Sequence, residues 1–439
     1  MMRRLACVAF LAVGAACTED VTSAGVCPNF CPSDSIAIRD TIFTDIIKRD
    51  SSFRGYIPGY LSEAMTATDV PGVVVSRPFF TTDTMFTRVT PKAGDTTTVP
   101  ISVDSVRLRL TVARRDKAAT NLRLRLFQLP TTVDSTSDFT TLDPYFTAPA
   151  VDSVSISDLL ATAGSTDTAV MRFWSSVCST CIDSVRVDNA GNVLLMQVDS
   201  SLLVYLKLDT VQAPLSAPDS GRLAYGIGVA ADSLASVSLA TTQVGSGPQL
   251  HWYYNYTIPD TVSTEPDSVV HADRVVATRF DSFVFNPPTP PLDSNLTVGG
   301  VPSARSLLRV AMPAFLHDTI DVVRATLILV PVNAVPGARS DSFTVKALQV
   351  VADLGAKSPL GATSSSKVIH IGSPDTVRIE LTSLVRAWSL DTTITTAFIL
   401  GQVPEAASYT QIRFYSSRAP AFRPGLQVTY VKRFRFGEP

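Results

Sequence analysis

The chain has 439 residues, a formal net charge of −2, 45% hydrophobic residues and only 17% charged ones. That balance excludes a disordered chain, and the near-neutral charge argues against a nucleic-acid binder, which carries a basic excess. Arg outnumbers Lys, Asp outnumbers Glu, and Ser, Thr and Val are abundant, so the composition favours strands and turns and excludes a helical bundle.

In chain order, the first element is an export signal over 1–16. Arg3 and Arg4 precede the apolar run Leu5 to Ala16, which is too short to span a bilayer. It ends Gly14-Ala15-Ala16-Cys17, which resembles a bacterial lipoprotein signal, with Cys17 as the lipid-carrying N-terminus of the mature chain. No later run is long and apolar enough for a transmembrane helix. The expected location is therefore the bacterial cell envelope, lipid-anchored and facing the periplasm or the exterior, with the lipid as the only membrane contact. A polar arm follows over 17–35. It holds Cys27 and Cys31, and Cys178 and Cys181 lie further on. An oxidising compartment favours disulfides. Three pairings stay open: within each couple, between the couples, or a four-thiolate zinc site.

From residue 36 the chain alternates at period two. Val106, Leu108, Leu110 and Val112 are separated by Arg107, Arg109 and Thr111. Leu122, Leu124 and Leu126 enclose Arg123 and Arg125, and Ala325, Leu327 and Leu329 repeat the pattern. This predicts antiparallel strands with one buried face. Asp188 to Asn192 reads as a hairpin loop, and Ser157–Ala163 and Ser383–Trp388 as short helices. The two halves also show a common order. A Ser-capped turn at Ser201–Leu206 matches Ser383–Trp388, Ala224–Gly228 matches Ala397–Gly401, Val237–Leu239 matches Ile412–Tyr415, and Pro248–Tyr254 matches Pro424–Tyr430. The expected fold is all-β: two tandem jelly-roll β-sandwich modules, at 36–256 and 269–433, with a linker at 257–268 and a tail at 434–439.

The block Leu381 to Trp388, the run Phe398-Ile399-Leu400, Arg413 to Arg418 and the closing strand Arg423 to Tyr430 resemble the DNRLRE-type domain. That family comprises jelly-roll sandwiches of bacterial surface proteins, related to carbohydrate-binding modules. The resemblance covers about the last sixty residues clearly; in the first half Leu206 stands in place of the Trp. It implies non-catalytic binding of polysaccharide, often acidic, or a structural role at the cell surface.

No nucleophile elbow, phosphate loop or paired His ligands occur. The four His residues, His251, His271, His317 and His370, read as structural or surface groups. No facing pair of carboxylates is identifiable, so the chain is read as not an enzyme, with a polysaccharide-acting enzyme as the remote alternative. No cofactor is implied; beside the four-thiolate zinc reading, the sequence leaves room for structural calcium among loop Asp residues. Trp388 reads as core. Of Phe414 and Tyr415, one must face outward. Trp252, Tyr253, Tyr254 and Tyr256 read as a ring platform or, preferably, an inter-module contact. If their strands are neighbours, Arg107, Arg109, Arg123 and Arg125 form a basic stripe suited to carboxylate or sulfate. With Arg413 and Tyr415 they are the candidate carbohydrate-binding residues. The expected partner is a polysaccharide or other cell-surface component; an adhesive or spacer protein is the other reading.

Overall fold

The computed structural model describes residues 37–156, 193–196 and 202–433, except 216–220, 260–266, 287–293, 335–341 and four shorter loop stretches at 56–57, 71–72, 92–95 and 116–118, together with 233–234. Cys17, Cys27, Cys31, Cys178 and Cys181, the 188–192 loop and the 157–163 helix lie outside them.

The architecture is all-β. Strands β1 (Ile38–Phe43), β2 (Ile47–Arg54), β3 (Ala64–Val70), β4 (Val74–Asp83), β5 (Arg88–Val89), β6 (Val99–Pro100), β7 (Ser102–Arg115) and β8 (Arg123–Gln128) open the chain. Then come β9 (Asp152–Ser155), β10 (Val193–Met196), β11 (Leu202–Leu208), β12 (Arg222–Ala230), β13 (Ala235–Ala240), β14 (Gln249–Ile258) and β15 (Ser268–Asn286). The last third holds β16 (Leu296–Gly299), β17 (Ala304–Val310), β18 (Ile320–Leu329), β19 (Ser342–Val350), β20 (Leu360–His370) and β21 (Val377–Glu380). It closes with β22 (Ala397–Gln402), β23 (Gln411–Phe414) and β24 (Gly425–Lys432).

In the N-terminal assembly, strands β7, β14, β15, β4, β3 and β13 pair antiparallel in that order, and β13 returns to β7. The sheet therefore closes on itself. The long strands β7 and β4 each change partner along their length, as strands do at the corners of packed sheets. Strands β11 and β10 extend this sheet from β7, and β12, β8 and β9 extend it from β4. The alternation read from sequence sets the core: Val106, Leu108, Leu110 and Val112 point inward, with Trp252, Tyr225 and Phe80 fully buried among them. A buried aliphatic side chain of this kind contributes about 1.5–3 kcal/mol.

The C-terminal assembly has two sheets, β1-β24-β18-β21 and β20-β19-β22-β17-β16-β23 with β2 on β17. Over their shared core lies the helix Thr382–Leu390. Its buried residues Leu384, Val385 and Trp388 recur at helical spacing, and Trp388 stacks on Phe398 at 6.4 Å. The Arg386 guanidinium ties the helix to β18 by donating to the Val322 and Val323 carbonyls at 2.7 and 3.1 Å.

Three expectations need correction. First, the N-terminal strands do not join the first half: β1 pairs with β24 and β2 with β17. Second, 257–268 does not separate the halves. It connects β14 to β15, which pair over Gln249–Ala277 to Ile258–Ser268, and β15 then pairs with β4. The boundaries at 36, 256 and 269 are thus displaced, and the first strand of the C-terminal sheets after β15 is β16. Third, Leu202–Leu206 is strand, not a helical turn, so that part of the internal correspondence fails. Leu203, Val204, Tyr205 and Leu206 are all buried, and a run buried on both faces carries no period to separate helix from strand.

The two assemblies touch. Val301, Ala406 and Tyr409 join the N-terminal core, the Thr66 hydroxyl donates to the Ala406 carbonyl, and the Ser62 hydroxyl donates to the Glu405 carbonyl at 3.2 Å. Glu405 is itself gripped by Arg305 through two hydrogen bonds of 2.5 and 2.8 Å.

Candidate functional site

The outer face of β11, β7, β14 and β15 gathers the most chemistry. Registers place Tyr205 opposite Arg109 and Lys207 opposite Arg107 across β11 and β7. Across β7 and β14, Arg109 faces Gln249, Arg107 faces His251, and Ser105 faces Tyr253. Across β14 and β15, His251 faces Val275 and Tyr253 faces Asp273. Cross-strand partners point to the same side of a sheet, so these side chains form one patch. The opposite side of β7 and β14 is the core, through Leu108, Leu110, Leu250 and Trp252.

The patch is largely withdrawn from water. Tyr205 is buried, while Arg107, Arg109, His251 and Tyr253 are half-buried. Burial pushes the Tyr205 and Tyr253 hydroxyls up and the Arg107 guanidinium down from their ordinary pKa values. His251 is lowered to about 4 by burial and then by the Arg109 charge, with Asp273 opposing, so it is neutral at pH 7. The Tyr205 and His251 rings meet edge to face at 5.9 Å. Arg109 hydrogen-bonds the Tyr205 hydroxyl, while Arg109 Nε and His251 Nε2 are buried with no hydrogen-bond partner among the described residues. Towards the far end of the face, Asp104 accepts from Asn255 at 2.5 Å and contacts His271 Nδ1 at 3.2 Å.

The expected four-arginine stripe does not form. Strand β7 pairs with β11, β13 and β14, whereas β8 pairs with β12 and β9. Arg107 and Arg109 thus lie apart from Arg123 and Arg125. Arg123 is exposed, and Arg125 sits over the Phe127 ring at 5.1 Å. Like alternation made the two strands look adjacent; nothing in the sequence of either names its partner. Arg413 and Tyr415 lie in the other assembly. Arg413 is half-buried near Arg54, whose guanidinium is lowered by burial and by the Arg413 charge and donates to Gln411 at 3.0 Å. Tyr415 packs on Phe422 at 5.4 Å, and Phe422 is 61% exposed. Trp252 and Tyr254 are core residues of the N-terminal assembly and so form no exposed ring platform; Tyr253 alone of that trio turns to the outer face.

The sequence offers Tyr253 only as one member of a possible ring platform and does not single out Tyr205, Lys207, His251 or Asp273 as binding residues. Tyr205 is hidden by the helical reading of Ser201–Leu206, which ends just before Lys207.

A cleft of about 330 Å³ lies elsewhere, lined by Gln128 to Thr132, Pro214 and Arg222 to Tyr225, with Arg222 the one charged side chain among the described lining residues. Among the described residues no group of three or more His, Cys, Asp or Glu is placed to hold a metal ion, and no helix is long and apolar enough to cross a membrane. No family model, curated protein or solved structure matches the chain.

Proposed function

We propose that this chain is a non-catalytic, lipid-anchored protein of the bacterial cell envelope that binds acidic polysaccharide on the outer face of β11, β7 and β14. The carrying observation is the convergence of half-buried Arg107, Arg109, Tyr253 and neutral His251 with buried Tyr205 and exposed Lys207 on one sheet face. Guanidinium forks match carboxylate and sulfate groups, and partial exclusion of water strengthens each charged contact. Tyr253, half-buried, offers a rigid ring for an apolar sugar face and a hydroxyl for its polar edge. The resemblance of the last sixty residues to the DNRLRE-type domain supports the same class of partner, and Cys17 is the proposed anchor.

The test is binding of the soluble chain from Thr18 onward to polygalacturonate, with dextran as the neutral control, at two salt concentrations. The reading expects saturable, salt-weakened binding to polygalacturonate, lost in Arg107→Ala/Arg109→Ala and kept in Arg123→Ala/Arg125→Ala. Equal loss in both double variants, or equal binding to dextran, contradicts it.

A further inference from the structure

The chain enters the C-terminal assembly twice. Strands β1 and β2 lie in its two sheets; the chain leaves them at Arg54 and returns at Leu296, the start of β16. Exit and return lie together, because Ala304 on β17 pairs with both Arg54 of β2 and Gly299 of β16. The Gly55 N–H donates to the Ser303 carbonyl at 3.3 Å at the same place. The N-terminal assembly is thus an insert hung from one corner of the C-terminal one. Connections gathered at one corner make a hinge and do not by themselves set an angle.

The outward face of β3 and β13 differs from a wet sheet face. Met65, Ala67, Val237 and Leu239 turn into the N-terminal core, so Ala64, Thr66, Thr68, Ser236, Ser238 and Ala240 turn outward. None of these is charged, and all are buried. Onto this face comes the loop 403–410, which joins β22 to β23 and is itself buried from Ala406 to Thr410. The Thr66 hydroxyl spends its proton on the Ala406 carbonyl, so the Ser238 hydroxyl is the donor in its 2.9 Å bond to Thr66. Ser62 supplies a second hydroxyl, to the Glu405 carbonyl. The loop is braced from its own side as well: Arg305 holds the Glu405 carboxylate, and the Val403 N–H donates to the Thr344 carbonyl at 3.0 Å. Ala406 stands at φ 56°, a left-handed conformation that a non-glycine residue keeps where its surroundings hold it.

We propose that the loop 403–410 is a latch that fixes the orientation of the insert on the C-terminal assembly, and that loss of its carbonyl contacts lets the insert swing on the Arg54 corner. The small side chains of β3 and β13 let the loop backbone come within hydrogen-bond reach. Their hydroxyls then meet carbonyls that burial would otherwise leave unpaired. The latch itself needs no glycan, so its test is independent of the binding reading. Joined to that reading, it gives the Arg107 and Arg109 face a fixed direction: the arm enters at β1 of the C-terminal assembly, while the face belongs to the insert. That consequence alone rests on the proposed function.

Hydrogen exchange of the soluble chain from Thr18 onward, without glycan, reads release of the latch at the Thr410 amide, which donates to the Ser408 hydroxyl at 3.1 Å inside the loop. Thr66→Val keeps the shape of the side chain and removes the donor to Ala406. It is expected to speed exchange at Thr410, in the other assembly, about tenfold. Thr68→Val, two residues along the same face, loses a bond to the Val74 carbonyl within its own assembly and is expected to leave Thr410 unchanged. No acceleration in Thr66→Val, or equal acceleration in both variants, overturns the latch. Rotational correlation times from nuclear magnetic resonance relaxation read the orientation itself. In the wild type, amides of β12 and β22 are expected to share one value. In Ala406→Glu, which sets a charge into the contact, they are expected to take two shorter and unequal values. Two values in the wild type overturn the proposal, as does a single undiminished value in Ala406→Glu with both assemblies folded; if that variant does not fold, Thr66→Val beside Thr68→Val decides.

Discussion

Asp50 decides how firmly the N-terminal strands are bound into the C-terminal assembly. It sits on β2, its side chain is fully buried, and it accepts the Ser417 N–H at 2.5 Å and the Arg418 guanidinium at 3.4 Å. The Arg418 side chain is 62% exposed, so that pair contributes little in water. The Ser417 N–H is different: it loses a carboxylate partner in a part-buried loop, which costs about 1.5–3 kcal/mol. Asp50→Ala is therefore expected to destabilise the C-terminal sheets by about 2–3 kcal/mol, while Asp50→Asn keeps an oxygen acceptor and costs under ~1 kcal/mol. Hydrogen exchange reads this locally. Each 1.4 kcal/mol is about tenfold in the opening equilibrium, so amides of β22 and β24 should exchange roughly 30- to 150-fold faster in Asp50→Ala. Amides of β12 and β13, in the other assembly, should change far less. Exchange in β22 and β24 within about twofold of the wild type would refute the reasoning, because the β2 tie would then carry no stability.

Two further outcomes follow from burial. Trp388→Ala removes the ring that fills the space between the helix Thr382–Leu390 and Phe398, and is expected to cost about 3–5 kcal/mol in urea unfolding. A loss below ~1 kcal/mol would mean that the helix does not close that core. His251 has a folded pKa of about 4, below its ordinary value near 6.5, so the unfolded chain takes up that proton first. The stability it contributes is fully present above about pH 6.5 and declines as pH falls towards 4. Its imidazole signals should stay those of the neutral ring at pH 5.5 in a nuclear magnetic resonance titration; a midpoint near 6.5 would contradict the burial assigned to it.

Much of the fold is written in local pattern. Val106 to Val112 and Leu122 to Leu126 declare their strands and their buried faces, and Leu384, Val385 and Trp388 declare a helix. What local pattern lacks is partnership. Nothing in Ile38–Phe43 says that it pairs with Gly425–Lys432, almost the whole chain away, and nothing in Arg107 or Arg123 says that their strands are not neighbours. Register is a property of the assembled sheet, where turn geometry and the inner face select it. The same limit governed the candidate site. Arg107 and Arg109 were legible as outward cations on a strand. Tyr205, Lys207, His251 and Tyr253 join them only through pairings between segments roughly a hundred residues or more apart from β7.

The most direct test of the account is the affinity of the soluble chain for polygalacturonate, measured beside Arg107→Ala/Arg109→Ala and Arg123→Ala/Arg125→Ala. The account predicts at least a tenfold loss, about 1.4 kcal/mol, in the first double variant and no change in the second. Undiminished binding by the first variant, with its fold intact, would contradict the placement of the acidic-glycan site on the outer face of β11, β7 and β14.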